Sequence, residues 1–136
     1  AASVIIQNEK GEILFLEQTK GRYGIPGGIV DPGETPVIAA IREAREEICV
    51  EVELEYIVGS YLLIGAGKLD NLATVYKAKI TRGTPTPGDP KEIKSILWRS
   101  PHDLPLPLVT DAKAAIEDLL ANKRGVVRTC ERTRVN

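Results

Sequence analysis

The chain has 136 residues, enough for one domain that buries a core without disulfide staples. Its 18 basic and 19 acidic residues nearly cancel, which argues against nucleic acid or an anionic membrane as partner and leaves room for a small anion held locally. Two cysteines far apart, Cys49 and Cys130, suggest no disulfide framework and a reducing, cytoplasmic setting, and no apolar run approaches the ~20 residues of a bilayer span.

In chain order, Val4-Ile5-Ile6 and Ile13-Leu14-Phe15-Leu16 flank Asn8-Glu9-Lys10-Gly11 and read as a β-hairpin. Residues 21–28 form a glycine-rich loop in which backbone can come close to a ligand. A second turn, Asp31-Pro32-Gly33-Glu34, leads to a helix. Thr35 is its N-cap and Pro36 its first residue, where the missing N–H costs nothing. Val37, Ile41, Ala44 and Ile48 recur at helical spacing and predict one apolar face, with Glu43, Glu46 and Glu47 on another.

Beyond the helix, residues 50–58, 61–64 and 72–80 are β-prone, and the Pro- and Gly-rich stretch 81–90 is a loop. Residues 93–99 read as a last strand containing Trp98, followed by a Pro-rich connection over 100–107. Thr110 is placed to cap a second helix that packs Ala114, Ala115, Ile116, Leu119 and Leu120 inward. This order predicts a mixed sheet covered on both faces. The domain is expected to span 1–123, with 124–136 a weakly ordered basic tail carrying Arg124, Arg128, Arg132 and Arg134.

The chemistry concentrates on the first helix. At about 100° per residue, Glu43, Glu46 and Glu47 share a sector roughly 100° wide. Like charges at these spacings weaken a helix by a few tenths of a kcal/mol per pair. A hard divalent cation offsets that repulsion, and Mg²⁺ is commonly shared between carboxylates and substrate phosphates. An acidic stripe alone is more often a solvated face; the glycine-rich loop directly upstream, and its register, favour a site.

Gly28, five residues, Glu34, seven residues, Arg42-Glu43-Ala44-Arg45-Glu46-Glu47, then Ile48-Cys49-Val50 resembles the Nudix box. Tyr23-Gly24-Ile25-Pro26-Gly27 before it and Leu97-Trp98 later are also similar to that family. The resemblance implies an α/β/α Nudix fold on a mixed sheet. It implies hydrolysis of a diphosphate linkage in a nucleoside diphosphate–X substrate, with Mg²⁺ or Mn²⁺ as cofactor. Residue by residue, it implies Glu43, Glu46 and Glu47 as metal ligands, with a backbone carbonyl at Gly28. Glu34 and Arg42 match a pair that holds loop to helix. Glu46, Glu47 or the loop residue Glu92 is the candidate general base. Arg22 is a candidate phosphate contact, and Tyr23 a candidate for stacking on a nucleobase, as are Tyr61 and Tyr76.

Within that class a short chain favours a MutT-like nucleoside triphosphate pyrophosphohydrolase. A nucleotide-sugar or ADP-ribose pyrophosphatase is the alternative substrate class, and a nucleotide-binding Nudix module without turnover is the alternative of another class. A homodimer is an admissible assembly. Cys49 departs from the pattern by standing at the box's second glycine. A non-Gly residue in the left-handed conformation costs roughly 1–2 kcal/mol, so the helix is expected to end differently here. Ala44, small for its position, predicts close packing on the sheet. Cys49 itself is no nucleophile candidate, because the one histidine, His102, sits in the distant Pro-rich connection.

Overall fold

The computed structural model describes residues 1–132. Its elements are β1 (Ala2–Ile6), β2 (Ile13–Gln18), β3 (Tyr23–Gly24), β4 (Gly27–Gly28), α1 (Pro36–Ile48), β5 (Glu51–Ile64), β6 (Asn71–Arg82), β7 (Ile93–Arg99), α2 (Thr110–Leu120) and β8 (Val126–Glu131). A five-stranded sheet runs β4-β1-β6-β5-β8 and a three-stranded one β3-β2-β7. In the larger sheet β1–β6 and β5–β8 are parallel and the other pairs antiparallel, so it is mixed. α1 packs on one face, over Val4, Ile6, Tyr76 and Ala78; α2 packs on the other, over Ile5, Val58, Ala73 and Val75. No helix among the described residues is long and apolar enough to cross a membrane.

The expected hairpin between the first two strands forms only at its base. Asn8 N–H donates to the Glu12 carbonyl at 3.0 Å, and Gln7 and Ile13 make one isolated bridge. Beyond that point β1 enters the large sheet and β2 the small one. The composition explains the parting, since both strands are apolar on both sides. Leu14 and Leu16 join the cluster under α1, while Ile13 and Phe15 join the cluster under α2. A run apolar on both faces suits a strand covered on both sides; a two-stranded hairpin would leave one face wet.

Thr35 caps α1 as expected, its hydroxyl accepting from Ile38 N–H at 3.2 Å. The buried side is wider than the periodicity suggested, and of the predicted face Ala44 and Ile48 are buried and Ile41 packs partly buried on the core. Ala39, Ala40, Ala44 and Ile48 are buried, whereas Val37 is 42% exposed. At about 100° per residue, Ala40 and Glu47 point within roughly 20° of each other, and Glu43 follows Ala39 by one turn. Glu43 and Glu47 therefore lie on the inward side and Glu46 off it. The alanines let the helix backbone settle close on the sheet, and Ala44 is fully buried as its size predicted.

The end of α1 corrects a second expectation. Cys49 does adopt the left-handed conformation, at φ 59° and ψ 35°, with its N–H donating to the Arg45 carbonyl at 3.1 Å. β5 starts two residues later, so the chain must reverse at once. Arg45 braces the reversal with two 2.7 Å hydrogen bonds to Glu51. The loop after β6 adds to it: Thr86 N–H donates to the Ile48 carbonyl (3.1 Å) and Gly88 N–H to that of Glu47 (2.8 Å). These satisfy acceptors that a helix end otherwise leaves to water. Only glycine fits at position 88, because a Cβ there would overlap the Glu46 carbonyl.

At α2 the N-cap position is Val109 rather than Thr110, which is the first helical residue. Ala112, Ala114, Ala115 and Ile116 are buried, and Leu120 is exposed, against expectation. The tail also differs from expectation. Val126–Glu131 is a strand parallel to β5, in register from Gly59↔Val126 to Ile64↔Glu131. Its charges serve as internal partners: Arg128 Nε lies 3.5 Å from the buried Asp118 carboxylate, which accepts the Tyr61 hydroxyl at 2.7 Å. Arg124 stacks over the Tyr56 ring at 3.8 Å. Arg134 lies outside the described residues.

Candidate active site

Two short turns and one helix build the site. The Gly27–Gly28 strand lies antiparallel to the start of β1, pairing Gly28 with Ala2, and its other side meets α1. Gly27 N–H donates to Glu47 Oε1 at 2.6 Å. A Cβ at Gly28 would stand 2.6 Å from the Glu43 carboxylate, so the close approach of loop to helix requires glycine. The loop is also tied down from outside. Arg42 donates through Nε and Nη2 to both oxygens of Glu34 (2.8 and 3.0 Å) and through Nη2 to the Ile29 carbonyl at 2.9 Å. Glu34 in turn accepts from Asp31 N–H at 2.9 Å. This two-pronged contact keeps the Glu34 carboxyl below the usual carboxylate range.

Arg42 does more than the sequence suggested. Its Nη1 also donates to Glu43 Oε1 (3.0 Å) and Glu46 Oε2 (3.1 Å). The three helix acids therefore have three environments. Glu46 is largely exposed and turned to Arg42; Glu43 is mostly covered, its side chain 16% exposed, beneath Gly28. Glu47 is the deepest. Burial, followed by the nearby charges of Glu43, Glu92 and Glu46, pushes its carboxyl up to about 8, although the Gly27 N–H works the other way. Burial raises the Glu43 carboxyl too, with Arg42 in part offsetting it.

Glu92 enters the site through the loop that closes α1. That loop delivers the 89–92 turn beside Glu47, where Thr19 receives it: Thr19 N–H donates to the Glu92 carbonyl at 3.0 Å and its hydroxyl to that of Lys91 at 2.8 Å. A cavity of about 220 Å³ results, bounded by Glu47, Glu92, Lys20, Arg22 and Lys91. A second, of about 300 Å³, runs along Gly27, Gly28, Asn71 and Asp111. Gln18 and Arg22 line both, and Arg22 Nε donates to Gln18 Oε1 at 2.6 Å, forming a shared wall. Arg22 is thus where a phosphate contact would need to be. Tyr23 is not so placed: it packs partly buried on the α2 side, its backbone held by Pro107 and Val109, and lines neither cavity. Tyr61 and Tyr76 are buried core residues and cannot stack on a base. Thr19, Lys20 and Lys91 escaped sequence reasoning; a β-turn threonine and two surface lysines carry no spacing signal.

Comparison with known proteins bears on this geometry. The family model of the NUDIX domain matches residues 1–120. The chain belongs to the Nudix hydrolase family. A Bacillus subtilis (strain 168) protein, provisionally named an 8-oxo-dGTP diphosphatase, is 34% identical over 118 residues, covering 86% of this chain and 76% of its own. The NAD-capped RNA hydrolase NudC of Pseudomonas putida (strain GB-1) is 28% identical over 134 residues, 90% of this chain but only 45% of that protein. The crystal structure of a MutT NUDIX hydrolase from Burkholderia pseudomallei aligns with a TM-score of 0.78 at 28% identity, over 88% of this chain and 98% of that one.

Nudix hydrolases act on nucleotide-type small molecules and in general use a divalent metal, so the residues must be tested against one. Among the described residues no three acidic, His or Cys side chains already converge at ligand spacing. The donor chemistry nevertheless fits a hard cation: the set is all oxygen, and His and Cys are absent from it. The charge fits as well. Glu43 and Glu47 are drawn to the inward side of α1 with raised carboxyls, and Arg42 is the cation bonded to Glu43. An added positive charge there relieves a repulsion already built into the Nudix helix.

Proposed function

We propose that the chain is a MutT-like pyrophosphohydrolase that cleaves a nucleoside triphosphate with Mg²⁺, or Mn²⁺, held by Glu43, Glu46 and Glu47 and a backbone carbonyl at Gly28. The observation that carries this is the meeting of Glu47, Glu92 and Arg22 on one cavity beside the Gly27–Gly28 turn. When bound, the cation would neutralise the diphosphate and lower the pKa of an attacking water. Glu92 is the favoured general base, because the clasp on Thr19 holds it over the cavity while Arg42 engages Glu46 and Gly27 engages Glu47. Water oxygen bonds to phosphorus as the bridging P–O bond breaks; the water's proton goes to the Glu92 carboxylate and the electron pair leaves with the departing phosphate group. Arg22 draws charge from a phosphate oxygen. Glu34 and Arg42 fix the loop against the helix and do not react.

The experiment is chromatographic measurement of nucleoside monophosphate formed from a panel of nucleoside triphosphates, ADP-ribose and nucleotide sugars, with Mg²⁺ or Mn²⁺ and with chelator. Turnover of triphosphates that chelator abolishes is expected. Turnover confined to ADP-ribose or nucleotide sugars would replace the substrate class, and tight binding of nucleotides with no turnover would make the chain a regulatory module. Glu92→Gln is expected to slow the chemical step by about a hundredfold or more; an unchanged single-turnover rate would remove Glu92 as base.

A further inference from the structure

We infer that the cavity between the 18–22 and 89–93 turns takes the terminal phosphates of a nucleoside triphosphate, gripped by Lys20 and Lys91. This rests on the hydrolase reading of the adjoining carboxylates and adds a subsite to it. The cavity is built rather than incidental. Gly21 N–H donates to the Gln18 carbonyl (3.0 Å) and closes one turn; Ile93 N–H donates to the Asp89 carbonyl (2.9 Å) and closes the other. Thr19 then joins the two through its hydroxyl and its N–H. Both lysines therefore stand on braced backbone and line one space.

Charge and size point to an anion. Three cations, Lys20, Arg22 and Lys91, border about 220 Å³ of space against two carboxyl groups, Glu47 and Glu92, and Ile93 is its one aliphatic wall. Such a lining suits phosphate oxygens better than a nucleobase, which needs apolar or aromatic faces. Lys77, Lys79 and Lys94 are each in an ion pair with a glutamate. Among the described residues Lys10, Lys20, Lys68, Lys91, Lys113 and Lys123 form no such pair, and of these Lys20 and Lys91 border this space. Lysine is a compact point charge that meets a phosphate without a fixed angle. The consequence is selective. The distal phosphates of a triphosphate are small and highly charged, whereas a diphosphate–X substrate would bring an esterified phosphate and a bulky group between the same two lysines.

The test uses the full chain in Mg²⁺ buffer. Inorganic tripolyphosphate is titrated calorimetrically into wild type, Lys20→Ala/Lys91→Ala and Lys91→Arg, and kcat/KM is measured on ATP and ADP-ribose. The double variant is expected to bind tripolyphosphate about tenfold or more weakly, with Lys91→Arg restoring most of the affinity of that position. Its loss of kcat/KM on ATP should exceed that on ADP-ribose by about tenfold, expressed chiefly in KM. Equal tripolyphosphate affinity in wild type and the double variant, or equal losses on the two nucleotides, would overturn the inference. Absence of wild-type turnover on both nucleotides would instead refute the hydrolase reading, and the tripolyphosphate titration would still decide the lysines.

Discussion

Glu47 is a carboxylate placed where an alanine would pack. It shares the inward side of α1 with Ala40 and Ala44, and its only short contact from the loop is Gly27 N–H at 2.6 Å. Its carboxyl, pushed up to about 8 by burial first and neighbouring acids second, holds a proton at neutral pH in the metal-free protein. The sign follows: a raised folded-state pKa gives stability that is complete below the ordinary carboxylate range and is lost as pH rises through about 8. Metal binding must expel that proton, so Mn²⁺ affinity should climb across the same window and level off above it. Titrations at several pH values check this; a flat profile would contradict it. Glu47→Gln should abolish turnover yet leave the metal-free protein at least as stable at pH 8, read from denaturant midpoints. Cys49→Gly should raise stability by about 1 kcal/mol, because glycine enters the φ 59° conformation without the strain a side chain brings. At this scale the box spacing singled out Glu34, Arg42, Glu43, Glu46 and Glu47 as candidates, and the fold brings Glu43 and Glu47 to the Gly27–Gly28 turn and pairs Arg42 with Glu34. The spacing could not show which glutamates face inward, because Ala39 and Ala40 widen the buried face to the side where Glu43 and Glu47 point, and alanines carry little apolar signal.

The loop after β6 was legible as a loop and illegible as a cap. Its glycines and prolines announce a turn, but its N–H groups, at Thr86 and Gly88, close α1 at Ile48 and Glu47, far back in the chain, and no local pattern encodes that. Gly88→Val should therefore act at two places, freeing the Glu47 and Ile48 carbonyls and shifting the 89–92 turn. The expected result is a loss of about 2–4 kcal/mol together with a drop in kcat; normal kcat in a folded variant would contradict the link between cap and site. β8 was missed for a related reason. Its partly buried positions, Val126, Arg128 and Cys130, alternate with exposed ones, Val127 being 81% exposed, so its apolar signal is weak. Pairing with β5 and the Arg128–Asp118–Tyr61 contacts order it instead. Arg128→Ala should destabilise by about 1–3 kcal/mol, since the buried Asp118 loses its counter-charge, while Val127→Ala should stay within about 0.5 kcal/mol. Equal midpoints for the two variants would show that β8 owes its order to the main chain alone.

Across the whole molecule, near-neutral net charge conceals a sharp local division. Acids gather on the inward edge of α1, cations on the 18–22 turn, and the 89–92 turn brings one of each, Lys91 and Glu92, to the same cavity. The mixed sheet makes this possible by carrying the Gly27–Gly28 strand on its β1 edge, against the helix that packs on its face. The strand–helix order sufficed to infer that architecture; the parting of β1 and β2 between two sheets needed the knowledge of what covers each face. The claim on which everything else rests is that the α1 glutamates together retain a catalytic divalent cation. Its most direct measurement is a calorimetric Mn²⁺ titration of wild type, Glu43→Gln, Glu46→Gln and Glu47→Gln, paired with triphosphate turnover. Each substitution should weaken Mn²⁺ at least about tenfold and slow turnover about a hundredfold or more in a folded protein. Wild-type affinity and rate in any two of the three would contradict the account.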